Sequence, residues 1–205
     1  MTLPEAAGLL LATVARLITG AQGHWYGSPP KAEQRIYFAN HQSHFDWVLL
    51  WAALPEDLRA LTRPIAARDY WTSSPLKHWI TREIFNAVYV SRERSADEDP
   101  LEPLMEALRH GDSLVIFPEG TRGHAADPAP FKSGLYALAQ AFPEVQLIPA
   151  WIDNVQRVMP KGEVVPVPIL CTVTFGAPVA LQPDEERRAF LDRARAAVMA
   201  LRAVH

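Results

Sequence analysis

Apolar and polar positions along the chain fall into two periods, and their order sets out the elements. "RIYFA" at 35–39, "SLVIF" at 113–117 and the stretches near 146–152 and 169–175 are short, nearly continuous apolar runs of the kind that buried strands show. "NAVYVSR" at 86–92 reads as another strand, and 58–66 as a possible one. Between them the period changes to that of a helix. "DPLEPLMEALRHG" puts Leu101, Leu104, Met105 and Leu108 on one face and Gly111 at the carboxyl cap. Further helices are expected over 44–53, over 75–83 opening at Ser74-Pro75, from about Ser133 to Ala141, and from near Asp184. Strands alternating with helices predict an α/β domain with a mixed, mostly parallel sheet flanked by helices. In such sheets ligands gather at the carboxyl ends of strands.

The amino-terminal stretch "EAAGLLLATVARLITG" follows the helical period, with Leu10, Val14 and Leu17, joined by Leu11 and Ile18, on one face and Thr13 and Arg16 on another. Glu5 stands where a leader peptide carries basic residues, and Arg16 interrupts an apolar run well short of the roughly 20 residues a membrane span needs. The segment is therefore expected to be an amphipathic helix, either docked on the core or lying in a membrane interface, with Trp25 and Tyr26 just after it. Residues 1–30 are read as this helix and its connector, and 31–205 as one domain.

Composition narrows the function classes. A net charge of −3 with no long Lys/Arg block argues against nucleic acid as a partner. The single cysteine, Cys171, lies in the apolar "PILCTVTF" and is expected to be a core thiol, so no disulfide framework exists. The eighteen prolines are scattered between elements rather than gathered into a linker.

Two polar clusters each follow an expected strand. In "NHQSHFD", residues 40–46, His41 and Asp46 are spaced so that the imidazole can fold back onto a carboxylate in the first helical turn, making a His-Asp dyad. The same residues also fit a bland reading, in which Ser43 and Asp46 form a capping-box variant. His41, His44 and Asp46 supply too few ligands for a metal, and neither a metal nor another cofactor is expected. In "FPEGTRG", residues 117–123, the glycines let backbone amides approach a ligand and Arg122 offers a planar fork for phosphate oxygens. Lys132 in "PFKSG" adds a second cation before a helix. The alternative is a tight turn whose Arg122 pairs with a surface acid.

Together the two motifs resemble the glycerolipid acyltransferase family, specifically the bacterial 1-acylglycerol-3-phosphate acyltransferases. The resemblance carries the family's catalytic histidine onto His41 and its aspartate onto Asp46, and the glycerol-phosphate site onto "FPEGTRG", with Glu119, Gly120, Thr121 and Arg122 contacting the acceptor. "NAVYVSR" is similar to the strand whose last arginine also faces the phosphate, which carries over to Arg92, and "IPAWI" at 148–152 to the family's last apolar block. Asn86, Ala87 and Ser91 depart from the glycines and aspartate usual in the middle block.

What the resemblance implies is acyl transfer from acyl-CoA or acyl-carrier protein to a lysophospholipid such as lysophosphatidate, at the cytoplasmic face of a membrane surface. The acceptor stays open to glycerol 3-phosphate, another lysophospholipid or an amine-linked lipid, and the chain to a lipid-binding relative without turnover. "GDSL" at 111–114 matches a lipase nucleophile motif, but Ser113 opens a strand instead of following one, so it is read as a helix-to-strand turn.

Overall fold

In the computed structural model, which describes residues 3, 6–10, 13, 22–43, 45–91, 99–123, 125–153 and 171–204, seven strands form one sheet. They are β1 (Gln22–Trp25), β2 (Arg35–Ala39), β3 (Thr62–Ala67), β4 (Val88–Val90), β5 (Ser113–Ile116), β6 (Gln146–Ile152) and β7 (Thr172–Phe175). Their spatial order is β1-β7-β6-β2-β5-β3-β4. Every neighbouring pair is parallel except β6 and β7, which are antiparallel, so the sheet is mixed and mostly parallel, as the alternation of periods predicts.

β2 sits in the middle because its five residues are all buried, the condition of a strand covered on both faces. Its side chains alternate between two cores. Tyr37 and Ala39 join the layer made by α1 (Asp46–Ala53), while Ile36 and Phe38 join the layer made by α5 (Glu102–Arg109), α6 (Gly134–Ala141) and α7 (Arg187–Ala200). All eight residues of α1 are buried, which is why "DWVLLWAA" has no polar stripe after its first residue. Cys171 is fully buried in the α1 layer, and burial pushes its thiol up to about 11.

Several expectations shift by a few residues. The possible strand at 58–66 divides into a helix, α2 (Glu56–Leu61), and then β3. Pro55 enters extended, and Glu56 and Asp57 suit the positive end of a helix, so local chemistry wins there over the apolar content of the run. The helix opening at Ser74-Pro75, α4 (Pro75–Trp79), continues as a π-helix over Ile80–Ile84, and α3 (Arg68–Trp71) precedes it. β4 is shorter than "NAVYVSR" because Asn86 takes a left-handed φ of 45°, a conformation asparagine tolerates. Asp184 does the same with φ 55°, and α7 starts after it at Arg187. Gly111 caps α5 with φ 88°, as expected.

No strand is expected before residue 35, yet β1 pairs with β7 and closes one edge of the sheet. Gly23 explains its fit. A Cβ there would lie 2.8 Å from the Ala53 carbonyl oxygen at the end of α1, so only glycine lets the strand come this close. Trp25 then stacks on Phe175 of β7 at 4.1 Å.

Residues 6–10 are helical. Gly8 is buried against Ile84 and Trp51, while Leu9 and Leu10 stay exposed, as does Leu3 one heptad before Leu10. The helix thus docks by its glycine side and leaves the Leu10 side outward. Val14, Leu17, Leu11 and Ile18 lie outside the described residues, as do Arg92 and His44.

Candidate active site

The two polar clusters meet because β2 and β5 are adjacent and parallel, with Phe38 beside Ile116. Both turns therefore leave the same end of the sheet, the carboxyl end.

Asp46 begins α1 with its carboxylate turned back over the loop, and it is 1% exposed. Its Oδ2 accepts three hydrogen bonds: from the amides of Gln42 at 2.6 Å and Ser43 at 2.9 Å, and from His41 Nδ1 at 2.8 Å. The same oxygen thus makes the dyad contact and half of the capping box, whose other half is absent, since Ser43 Oγ accepts from the Phe45 amide and not from that of Asp46. An ionised carboxylate can only accept, so in this pairing Nδ1 is the donor and Nε2 is the ring nitrogen that Asp46 does not engage. One ring face is covered by Phe117, which stacks on the imidazole at 4.3 Å between centroids and 14° between planes.

Glu119 is buried, and its two oxygens are each engaged by a backbone amide, Oε1 by His41 and Oε2 by Ala129, both at 2.7 Å. Glu119 thereby fastens two segments of the chain to each other. Gly123 strengthens this fastening by donating its amide to the His41 carbonyl at 2.8 Å. Asn40, just before, is buried and pairs both ends of its amide with the Ile152 backbone, locking β2 to β6.

The cations stand differently. Thr121 and Arg122 are exposed, and Arg122 forms no ion pair among the described residues. Lys132 lies across Gly120: a Cβ at Gly120, where φ is 70°, would meet Lys132 Nζ at 2.5 Å, so glycine makes room for the lysine. The structure thus groups His41, Asp46, Glu119, Gly120, Thr121, Arg122 and Lys132 around one strand end pair.

His41, Phe117, Gly120 and Lys132 border a cavity of about 300 Å³ that Leu101, Leu104, Leu135 and Leu138 also line. Sequence reasoning takes the α5 leucines as core face and does not mark the cavity, because a lining leucine and a core leucine share the same helical period. Phe117 is missed as well, since an aromatic at the end of a buried strand reads as packing. The serine of "GDSL" has no such setting: Ser113 is buried, with Oγ accepting the Arg35 amide.

An Acyltransferase family model matches residues 27–153, which include both turns. The chain belongs to the Acyltransferase family. Among similar proteins, the 1-acyl-sn-glycerol-3-phosphate acyltransferase alpha of Bos taurus is 32% identical over 174 residues, covering 81% of this chain and 57% of the relative. That of Mus musculus is 33% identical over 139 residues, covering 65% and 45%. The chain thus spans about half the length of these curated relatives. The crystal structure of the 1-acyl-sn-glycerophosphate (LPA) acyltransferase PlsC from Thermotoga maritima matches with a TM-score of 0.68 and 24% identity over 99% of this chain and 84% of that one, a likeness of fold.

For this member of the Acyltransferase family, Glu119→Gln is expected to destabilise the fold, because an amide nitrogen would face a backbone N–H that a carboxylate oxygen now accepts. One buried donor left unmatched costs about 1–3 kcal/mol. Denaturant unfolding of the two proteins measures it, and equal midpoints would show that the clasp contributes nothing.

Proposed function

We propose that the chain is an O-acyltransferase that moves a fatty acyl group from an acyl thioester, acyl-CoA or acyl-carrier protein, to the free hydroxyl of a lysophospholipid, with lysophosphatidate giving phosphatidate as the leading case. The observation that carries this reading is the His41–Asp46 pair set at the edge of an apolar cavity with Lys132 on its rim, in a chain of the Acyltransferase family. The names of the relatives agree with it.

His41 Nε2 takes the proton of the acceptor hydroxyl as that oxygen attacks the thioester carbonyl. The C–O bond forms, the C–S bond breaks as the tetrahedral intermediate collapses, and the imidazolium returns its proton to the leaving thiolate. Asp46 keeps the imidazole in the required tautomer and stabilises the charged ring. Attack is direct, since Ser43 Oγ is occupied by the Phe45 amide and Cys171 is fully buried in the α1 layer. Arg122 and Lys132, with Arg92 by resemblance, hold the acceptor phosphate. Glu119, Gly120 and Thr121 shape the turn that presents them. Incubating the purified protein with phosphorylated and zwitterionic acceptors and both donor classes, then weighing the lipids formed, tests the reading as a whole.

The site of action is a membrane surface, at its cytoplasmic face. Among the described residues no helix is long and apolar enough to cross a membrane. The outward Leu3, Leu9 and Leu10 suit a helix lying on lipid. Leu10→Glu should reduce sedimentation with anionic vesicles while leaving the circular dichroism unchanged, and undiminished sedimentation would remove this helix from the contact.

His41→Ala should lower kcat by about 10²- to 10⁴-fold, the usual size of general-base loss. Near-normal turnover in a steady-state assay would take His41 out of the mechanism.

Arg122→Lys keeps the charge but loses the bidentate fork, so the acceptor KM should rise and the donor KM hold. Charge-assisted hydrogen bonds of about 1.5–3 kcal/mol correspond to roughly one to two orders of magnitude in acceptor kcat/KM. Equal losses toward phosphorylated and phosphate-free acceptors would show that Arg122 does not read phosphate.

A further inference from the structure

We propose that Phe117 is a positioning residue for His41, fixing the plane of the imidazole so that Nε2 faces the cavity. The proposal rests on His41 acting as the base.

A histidine tethered through one ring nitrogen is not fully oriented. The Nδ1–Asp46 hydrogen bond sets the direction of one ring edge, but the ring can still tilt about that axis, which sweeps Nε2 away from its target. A flat neighbour removes the tilt. Phe117 supplies it, lying 14° from parallel at 4.3 Å, within the range of aromatic stacking. The contact is well founded on both sides. His41 is held at its amide by Glu119 and at its carbonyl by Gly123. Phe117 follows the last residue of β5, and its carbonyl accepts the Gly120 amide at 2.9 Å, closing the turn. Because β2 and β5 are paired in fixed register, the aromatic cannot shift along the imidazole without moving a central strand.

The rival role for Phe117 is simply cavity wall, since it also borders the apolar space. The two roles part in kinetics. A wall residue contributes to holding substrate and its loss appears in KM, whereas a residue that aims the base acts on the chemical step and its loss appears in kcat.

Phe117→Leu keeps an apolar side chain and removes the flat face. It should lower kcat roughly ten- to a hundredfold, the scale for a base misplaced by about 1 Å, with acceptor and donor KM within about twofold. Phe117→Tyr restores the face and should return kcat to within roughly threefold of the parent. In nuclear magnetic resonance spectra without substrate, the His41 ring protons should lie upfield in the parent and in Phe117→Tyr, and move downfield in Phe117→Leu. If Phe117→Leu does not fold, Phe117→Met takes its place in both measurements. A KM change without a kcat change, a Phe117→Tyr variant as slow as Phe117→Leu, or unmoved His41 resonances each overturn the proposal. His41→Ala in the same assay keeps the two ideas apart. An active His41→Ala overturns the base assignment and the positioning role with it. An inactive His41→Ala beside a fully active Phe117→Leu overturns the positioning role alone.

Discussion

A carboxylate out of water must be matched by donors, and Glu119 is matched by two amides far apart in the chain, those of His41 and Ala129. The turn after β2 and the loop after β5 are therefore bound to one acceptor. Any displacement of one turn against the other strands an amide or a carboxylate oxygen, so the two polar clusters behave as a unit. His41 owes its place to this fastening before any contact of its own ring is counted.

The sheet supplies the distance scale on which the fastening works. Neighbouring parallel strands lie about 4.8 Å apart and end together. Two turns leaving β2 and β5 thus start close enough for a side chain of one to reach the backbone of the other. Antiparallel neighbours would have sent the turns to opposite ends. The single antiparallel pair, β6 with β7, lies beyond β2 on its other side and leaves this arrangement undisturbed. Asn40 ties the same strand end to β6, so the base of the site is secured laterally on both flanks.

How much of this is legible in the sequence depends on whether a residue's role is local. The strands around 35–39, 113–117 and 146–152 announce themselves by unbroken apolar content, and the His41–Asp46 spacing spans a single turn. β1 has no such mark: "QGHW" is a strand because β7 and α1 leave room for one, a tertiary fact. The role of Glu119 is hidden for the same reason, since its partners are 78 and 10 residues away and are backbone groups, which every residue type carries alike. Phe117 and the cavity leucines are hidden by degeneracy, because facing a cavity and facing a core require the same apolar side chains at the same period.

A division of labour follows between the rigid and the open parts of the proposed reaction. His41 is constrained at its amide, its carbonyl, one ring nitrogen and one ring face, so little reorganisation is left for the chemical step. Arg122 and Lys132 are exposed, on long side chains, and Leu101, Leu104, Leu135 and Leu138 of the cavity lining make none of the contacts that hold the base. In the proposed reaction, changes at the cations or at the leucines would therefore act on the acceptor or chain that is held and not on the restraints of Nε2. The base, by contrast, is held from two sides, by Asp46 at the start of α1 and by Phe117, Glu119 and Gly123 in the one segment that follows β5. In the proposed reaction the choice of acceptor would rest on residues outside these restraints, and Asn86, Ala87 and Ser91 are among the positions that can vary with the His41–Asp46 pair intact.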